Sequence, residues 1–108
     1  MPRRHEILRV YETGPLTVVG LGADVSSEQI DLVELREEIL ELLKLHSCKD
    51  LAFDVTNVRY IPSGMLGLLG SLVKLNIQVH LYNPSRDVRE VLEVTHLDLL
   101  FKIHDLVG

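Results

Sequence analysis

Two short apolar runs, "DLAFDV" at 50–55 and "IQVHLYN" at 77–83, constrain the fold of this chain more than any other feature. Each has the length of a strand and is dense in apolar residues, the pattern of a strand covered on both faces of its sheet. Each is also followed by a helix-forming segment. Strands joined through helices run parallel, because a parallel neighbour can be reached only by a crossover.

The remaining segments fit that frame. "HEILRVYE" (5–12) and "LTVVGLG" (16–22) read as strands separated by the turn cluster Thr13-Gly14-Pro15, which predicts a hairpin. "SSEQIDLVELREEILELLKL" (26–45) reads as a helix opened by a Ser26–Gln29 capping box. Leu32, Leu35, Ile39 and Leu42 recur on one face of it, and Asp31, Glu34, Glu38 and Glu41 on the opposite, solvated face. A second helix is expected over roughly 64–75, and a third from Asn83-Pro84-Ser85 to about Thr95, with proline and serine suited to its start. "LDLLFKIHD" (97–105) suits a short helix or a final strand equally well. The order β-β-α-β-α-β-α predicts an α/β fold: a mixed sheet with an initial antiparallel hairpin, then parallel strands with helical crossovers. The 108 residues are enough for a single domain over 1–108 and too few for two, each with its own core.

Composition excludes several functions. A net charge of −5 leaves no electrostatic footprint for nucleic acid, and the Arg3-Arg4 pair reads as a solvated terminus. Cys48 stands alone, so an intrachain disulfide is ruled out and a reducing, cytoplasmic setting is expected. The longest apolar stretch, Met65–Val73, is far short of the ~20 residues that span a bilayer. No N-terminal segment reads as a signal peptide.

The stretch "YIPSGMLGLLGSL" (60–72) carries the functional question. Ser63 follows a strand and opens a helix, at the strand's C-terminal end, where open α/β sheets place their sites. The residue suits an N-cap. A phosphate attached there would also meet the unpaired N–H groups and positive dipole end of the helix. Gly64, Gly67 and Gly70 each weaken that helix by roughly 1 kcal/mol against alanine. Close packing is the expected reason at Gly67, whereas Gly64 suits either close packing or an exposed docking edge. A serine hydrolase would need Gly-x-Ser-x-Gly, and the chain has Ile-Pro-Ser-Gly-Met. Ser63–His80–Asp54 is the one grouping open to nucleophilic chemistry, and His80 reads more naturally as a core or sheet-face residue. His5, His46, His96 and His104 have no metal-ligand spacing, and no phosphate-binding glycine loop is present. The expectation is a domain with no catalytic residues, no metal and no cofactor.

"LAFDVTNVRYIPSGMLGLLGSL" followed by "VHLYNPSRDVREVLEVTHLDLLFKI" resembles the STAS family, which includes the anti-sigma-factor antagonists and the cytoplasmic domains of sulphate transporters. The family's strand-ending Asp matches Asp54. Its Phe-Ile/Met-Asp-Ser-Ser/Thr-Gly-Leu-Gly motif matches Tyr60 to Gly67, with the phosphorylated serine at Ser63. Its Asn-Pro-Ser/Ala and Val-Leu-x-x-Ser/Thr-x-Leu segments match Asn83-Pro84-Ser85 and Val91–Leu97. The resemblance implies a domain that docks an anti-sigma factor serine kinase, is phosphorylated by it at Ser63, and is restored by a phosphatase. The expected docking surface comprises Asp24, Pro62, Ser63, Gly64, Met65, Asn83 and Ser85. Asp24 stands near an acidic kinase contact of the family and also suits a helix-flanking role. Pro62 stands where the family has Asp, and Gly64-Met65 where it has Ser/Thr-Gly. Pro62 removes a carboxylate and an N–H and restricts Ile61 to extended conformations. It favours the alternative of a STAS scaffold that binds a protein partner without phosphorylation.

Overall fold

The computed structural model describes residues 8–21 and 30–106. β1 (Leu8–Glu12) and β2 (Leu16–Leu21) form the expected antiparallel hairpin. Gly14 takes a φ of +131° in the turn, a conformation open to glycine. Thr17 is fully buried and its hydroxyl donates to the Gly14 carbonyl at 3.0 Å, which pins turn to strand. The ladder slips between Val10 and Glu12, and Tyr11 at that bulge lies against Gly20: a Cβ there would be 3.0 Å from Tyr11 Cε2.

β3 (Asp50–Asp54), β4 (Gln78–Tyr82) and β5 (Lys102–His104) continue the sheet in parallel with β2. Among the described residues the sheet has five strands in the order β1-β2-β3-β4-β5. The C-terminal segment contains both elements it suited, a 3₁₀ turn at Leu97–Leu99 and then β5. The predicted order holds, with one more parallel strand at its end.

The strictly sequential strand order decides the layers. Right-handed crossovers that all step the same way put α1 (Leu32–Leu45), α2 (Ser63–Lys74) and α3 (Arg86–Val94) on one face. Under them lies the core, with Leu35, Ile39, Leu51, Phe53, Met65, Leu69, Val79 and Leu81 fully buried. Asp50, Asp54, His80, Tyr82 and His104 are only half-buried and occupy the opposite face, away from the described helices. This corrects the expectation that β3 and β4 are covered on both faces. Their apolar density on the open face comes down to Ala52, which is level with Val18 on β2 and is buried by its strand neighbours.

α1 also differs from its prediction. It starts at Leu32, and Asp31 is its N-cap, with Oδ1 accepting from the N–H groups of Val33 at 2.9 Å and Glu34 at 3.2 Å. Ser26–Gln29 lies outside the described residues. Leu35 and Ile39 face inward as the spacing predicts, but so does Glu38, only 7% exposed. Its Oε1 accepts from the N–H of Leu8 at 3.3 Å. A buried backbone amide needs an acceptor, and that requirement draws this carboxylate from the solvated face.

Candidate docking site around Ser63

The C-terminal ends of β3, β4 and β5 are tied together by short polar side chains. Asp54 ends β3, and its Oδ1 accepts from the Thr56 amide at 2.9 Å and the Thr56 hydroxyl at 2.5 Å, a local turn that starts the loop towards α2. Asn83 follows β4 in the left-handed region, at φ 56°. It joins three segments: its amide donates to the His104 carbonyl at 2.8 Å, its Nδ2 to Thr56 Oγ1 at 2.9 Å, and its Oδ1 accepts from the Leu106 amide at 2.6 Å. Ser85 caps α3 by accepting from the Val88 amide at 3.2 Å, and its hydroxyl donates to the Arg59 carbonyl at 3.5 Å. Arg89 reaches back to the Pro84 carbonyl and pairs with Asp105 beyond β5. The side chains of Asn83 and Ser85, expected at the docking surface, are thus engaged within the fold. They brace the loops at the C-terminal ends of β3, β4 and β5.

α2 begins differently. Ser63 was expected to cap it, but Ser63 is its first helical residue and Pro62 is the N-cap, at φ −59° and ψ 144°. The Pro62 carbonyl accepts from the amides of Met65 and Leu66 at 3.0 and 3.2 Å, and proline has no side chain to cap the amides before them. Ile61, 5% exposed, and Met65, fully buried, anchor this turn by packing. Ser63 is exposed, and its hydroxyl has no hydrogen-bond partner among the described residues. The first turn of α2 holds no acidic residue. Its positive dipole end meets no carboxylate from within that turn.

Two expectations change here, at Met65 and Gly67, and the question left open at Gly64 gains a close contact. Met65 cannot contact a partner, because its side chain fills the core. Gly64 is the glycine of close approach: a Cβ there would fall 2.5 Å from Leu32 Cδ1. Gly67, for which packing was expected, is exposed with nothing within 4 Å of a Cβ. Gly64 and Gly67 are both exposed, but only at Gly67 is the space around a Cβ open. Asp24 lies outside the described residues.

Beside this turn a notch of about 50 Å³ is lined by Arg59, Tyr60, Ile61, Leu66, Asp87, Val88 and Val91. Tyr60 is 56% exposed and Val91 43% exposed at its edge. Sequence reasoning did not single out either residue as a contact. The available signal was α3 itself, where Val88 and Leu92 supply the buried stripe and leave Val91 and Val94 outside it. A larger depression, about 510 Å³, lies at the opposite end of the strands, lined by Leu40, Glu41, Leu43, Lys44, Cys48, Leu75 and Ile77.

The grouping Ser63–His80–Asp54 does not assemble. Both ring nitrogens of His80 are engaged, by Asp50 and by His104, and Asp54 Oδ1 is engaged by Thr56. Among the described residues, no group of three or more His, Cys, Asp or Glu is placed to hold a metal, and no helix is long and apolar enough to cross a membrane.

Comparison with solved structures gives the same arrangement of strands and helices. The chain matches the NMR structure of the protein TM1081 with a TM-score of 0.73 at 19% identity, covering 97% of this chain and 86% of that one. It matches the anti-sigma factor antagonist SpoIIAA in its unphosphorylated form with a TM-score of 0.73 at 15% identity, covering 94% of this chain and 89% of that one. Both likenesses are likenesses of fold. The STAS domain family itself matches residues 8–108, from β1 through the Ser63 loop and beyond β5. This chain belongs to the STAS domain family.

Proposed function

We propose that this chain is an anti-sigma-factor-antagonist-like regulatory domain, which docks a kinase-type anti-sigma factor around Ser63 and is released when Ser63 is phosphorylated. The observation that carries the reading is the state of Ser63: exposed, first in its helix, with a hydroxyl unengaged by the described residues. Family membership and the fold shared with SpoIIAA, itself an anti-sigma factor antagonist, support the class of partner. In this reading Tyr60, Val91, Gly67 and Pro62 form the apolar surround that the partner covers, and Ser63 lies inside its rim.

The switch is electrostatic. Phosphoserine adds about −1.5 to −2 charge at neutral pH. In the free domain that charge faces a helix N-terminus whose first turn holds no acidic residue, and is tolerated. Under a docked partner it is desolvated, and an unpartnered buried charge costs ~3–5 kcal/mol. The domain supplies only the acceptor hydroxyl; the partner supplies ATP, and a phosphatase resets the cycle.

A second reading rests on Pro62. The family carries Asp there, so the same surface docks a partner with no covalent switch. Titration calorimetry with a kinase-type anti-sigma factor from the same genome, together with a phosphate-transfer assay, separates the two. Under the switch reading Ser63→Asp weakens binding roughly a hundredfold or more. Ser63→Ala binds and resists release, and Pro62→Asp speeds phosphate transfer. Native-like binding by Ser63→Asp, with no phosphate on Ser63, would establish the scaffold instead.

A further inference from the structure

The sheet face opposite the described helices carries a row of titratable side chains that the proposed docking surface does not use. Asp50 on β3, His80 on β4 and His104 on β5 lie on a diagonal across three strands. In register, His80 is level with Ala52 and Lys102, Asp50 is level with Gln78, and His104 is level with Tyr82 and Asp54. His80 Nε2 is 2.9 Å from Asp50 Oδ1, and His80 Nδ1 is 2.9 Å from His104 Nε2. The two rings lie end to end, 26° from coplanar with centroids 5.1 Å apart, and Tyr82 meets His104 edge-on at 5.4 Å. The His80 side chain is only 15% exposed.

These contacts dictate where the protons sit. An ionised carboxylate only accepts, so His80 Nε2 carries a proton. In neutral His80 the Nδ1 is then bare, and it accepts from the Nε2–H of His104. One added proton fits without breaking either bond. It enters at His104 Nδ1, the nitrogen outside the row, while the Nε2 proton of His104 passes to His80 Nδ1. His80 is then an imidazolium between the Asp50 carboxylate and a neutral His104. A second added proton puts an N–H on both facing nitrogens, so the bond between the rings is lost and two cations face each other. Lys102, the register partner of His80, adds another positive charge to that state. Asp50 is the carboxylate within the row, whereas Asp54 lies across Tyr82 from His104 and is engaged by Thr56.

We propose that Asp50, His80 and His104 form a one-proton latch on β5, which keeps its hydrogen bonds with zero or one added proton and opens with two. β5 is three residues long and pairs with β4 at the edge of the sheet. Its end supplies the His104 carbonyl that receives the Asn83 amide, and beyond it the Leu106 amide binds Asn83 Oδ1. Acidification past the first proton therefore frees β5 and loosens the Asn83 loop that leads into α3. The latch operates whether or not Ser63 accepts phosphate.

Two measurements on the whole chain test this. Long-range ¹H–¹⁵N correlation of the imidazoles gives the tautomers, and amide exchange, corrected for its intrinsic pH dependence, gives the hold on β5 and Asn83. With both rings neutral, His80 and His104 are expected as Nε2–H tautomers. Protection of the β5 and Asn83 amides is expected to survive the first protonation and to fall by about tenfold or more at the second. His104→Gln carries no charge and accepts from protonated His80, so the acid loss disappears in that variant. His80→Gln serves the same purpose should His104→Gln not fold. A neutral His80 in the Nδ1–H form would overturn the proposal, on the native chain alone. So would a loss that persists in the histidine variants and vanishes in Asp105→Asn, which removes the Arg89 ion pair instead.

Discussion

Pro62-Ser63 leads into α2 and Pro84-Ser85 leads into α3, the same dipeptide at the same edge of one sheet. In α3 the serine is the N-cap, and its hydroxyl is engaged by the Val88 amide and the Arg59 carbonyl. In α2 the helix starts one residue earlier, the proline takes the cap position, and the serine hydroxyl is left outward. The spacing of buried residues around each serine accounts for the shift. After Ser85 the first inward residue, Val88, comes three positions on, so the cap is satisfied before packing begins. After Ser63 the buried Met65 comes two positions on, and buried Ile61 stands two before, so packing on both sides winds the serine into the first turn. A helix start held by polar fastening consumes its serine. One held by packing leaves its serine available for a partner or a phosphate.

Substitutions at the two starts test this contrast. Met65→Ala should have the largest effect, a loss of about 2–5 kcal/mol in urea unfolding, because α2 has no polar cap to retain its first turn. A loss below about 1 kcal/mol would show that packing does not hold this start. Asn83→Ala should cost roughly 2 kcal/mol, since it removes two side-chain hydrogen bonds and leaves alanine at a positive φ. Asn83→Gly relieves only the backbone component, so its stability should lie between native and alanine. Ser85→Ala should cost about 1 kcal/mol as a lost cap, read as a shift of several degrees in Tm. Gly67→Ala should stabilise by about 0.4–1 kcal/mol, because the site is helical, exposed and open. If Gly67 belongs to the docking edge, the same variant binds its partner less well while melting higher. Ser63→Ala should change stability least, by no more than about 0.5 kcal/mol. An effect as large as that of Ser85→Ala would erase the distinction between the two starts.

Much of this was legible in residue order. Dense apolar runs with helix signals between them are enough to specify parallel strands and their sequence, since period and turn chemistry are local properties. The Ser85 cap was legible for the same reason: donor and acceptor lie three residues apart. The position of Ser63 at a strand-to-helix junction, and the family motif around it, were equally plain.

Tertiary structure decided the matters of long-range partnership. Glu38 turns inward because Leu8, thirty residues away, needs an acceptor. Gly64 is crowded by Leu32 and Gly67 by nothing, which helical spacing cannot reveal. Asp50, His80 and His104 meet across separations of 30 and 24 residues because three parallel strands fall into register. The hydroxyl of Ser63 belongs with these. Propensity favoured it as a cap, but the core's hold on Ile61 and Met65 set the helix boundary, and burial of large apolar side chains outweighs a cap worth about 1 kcal/mol.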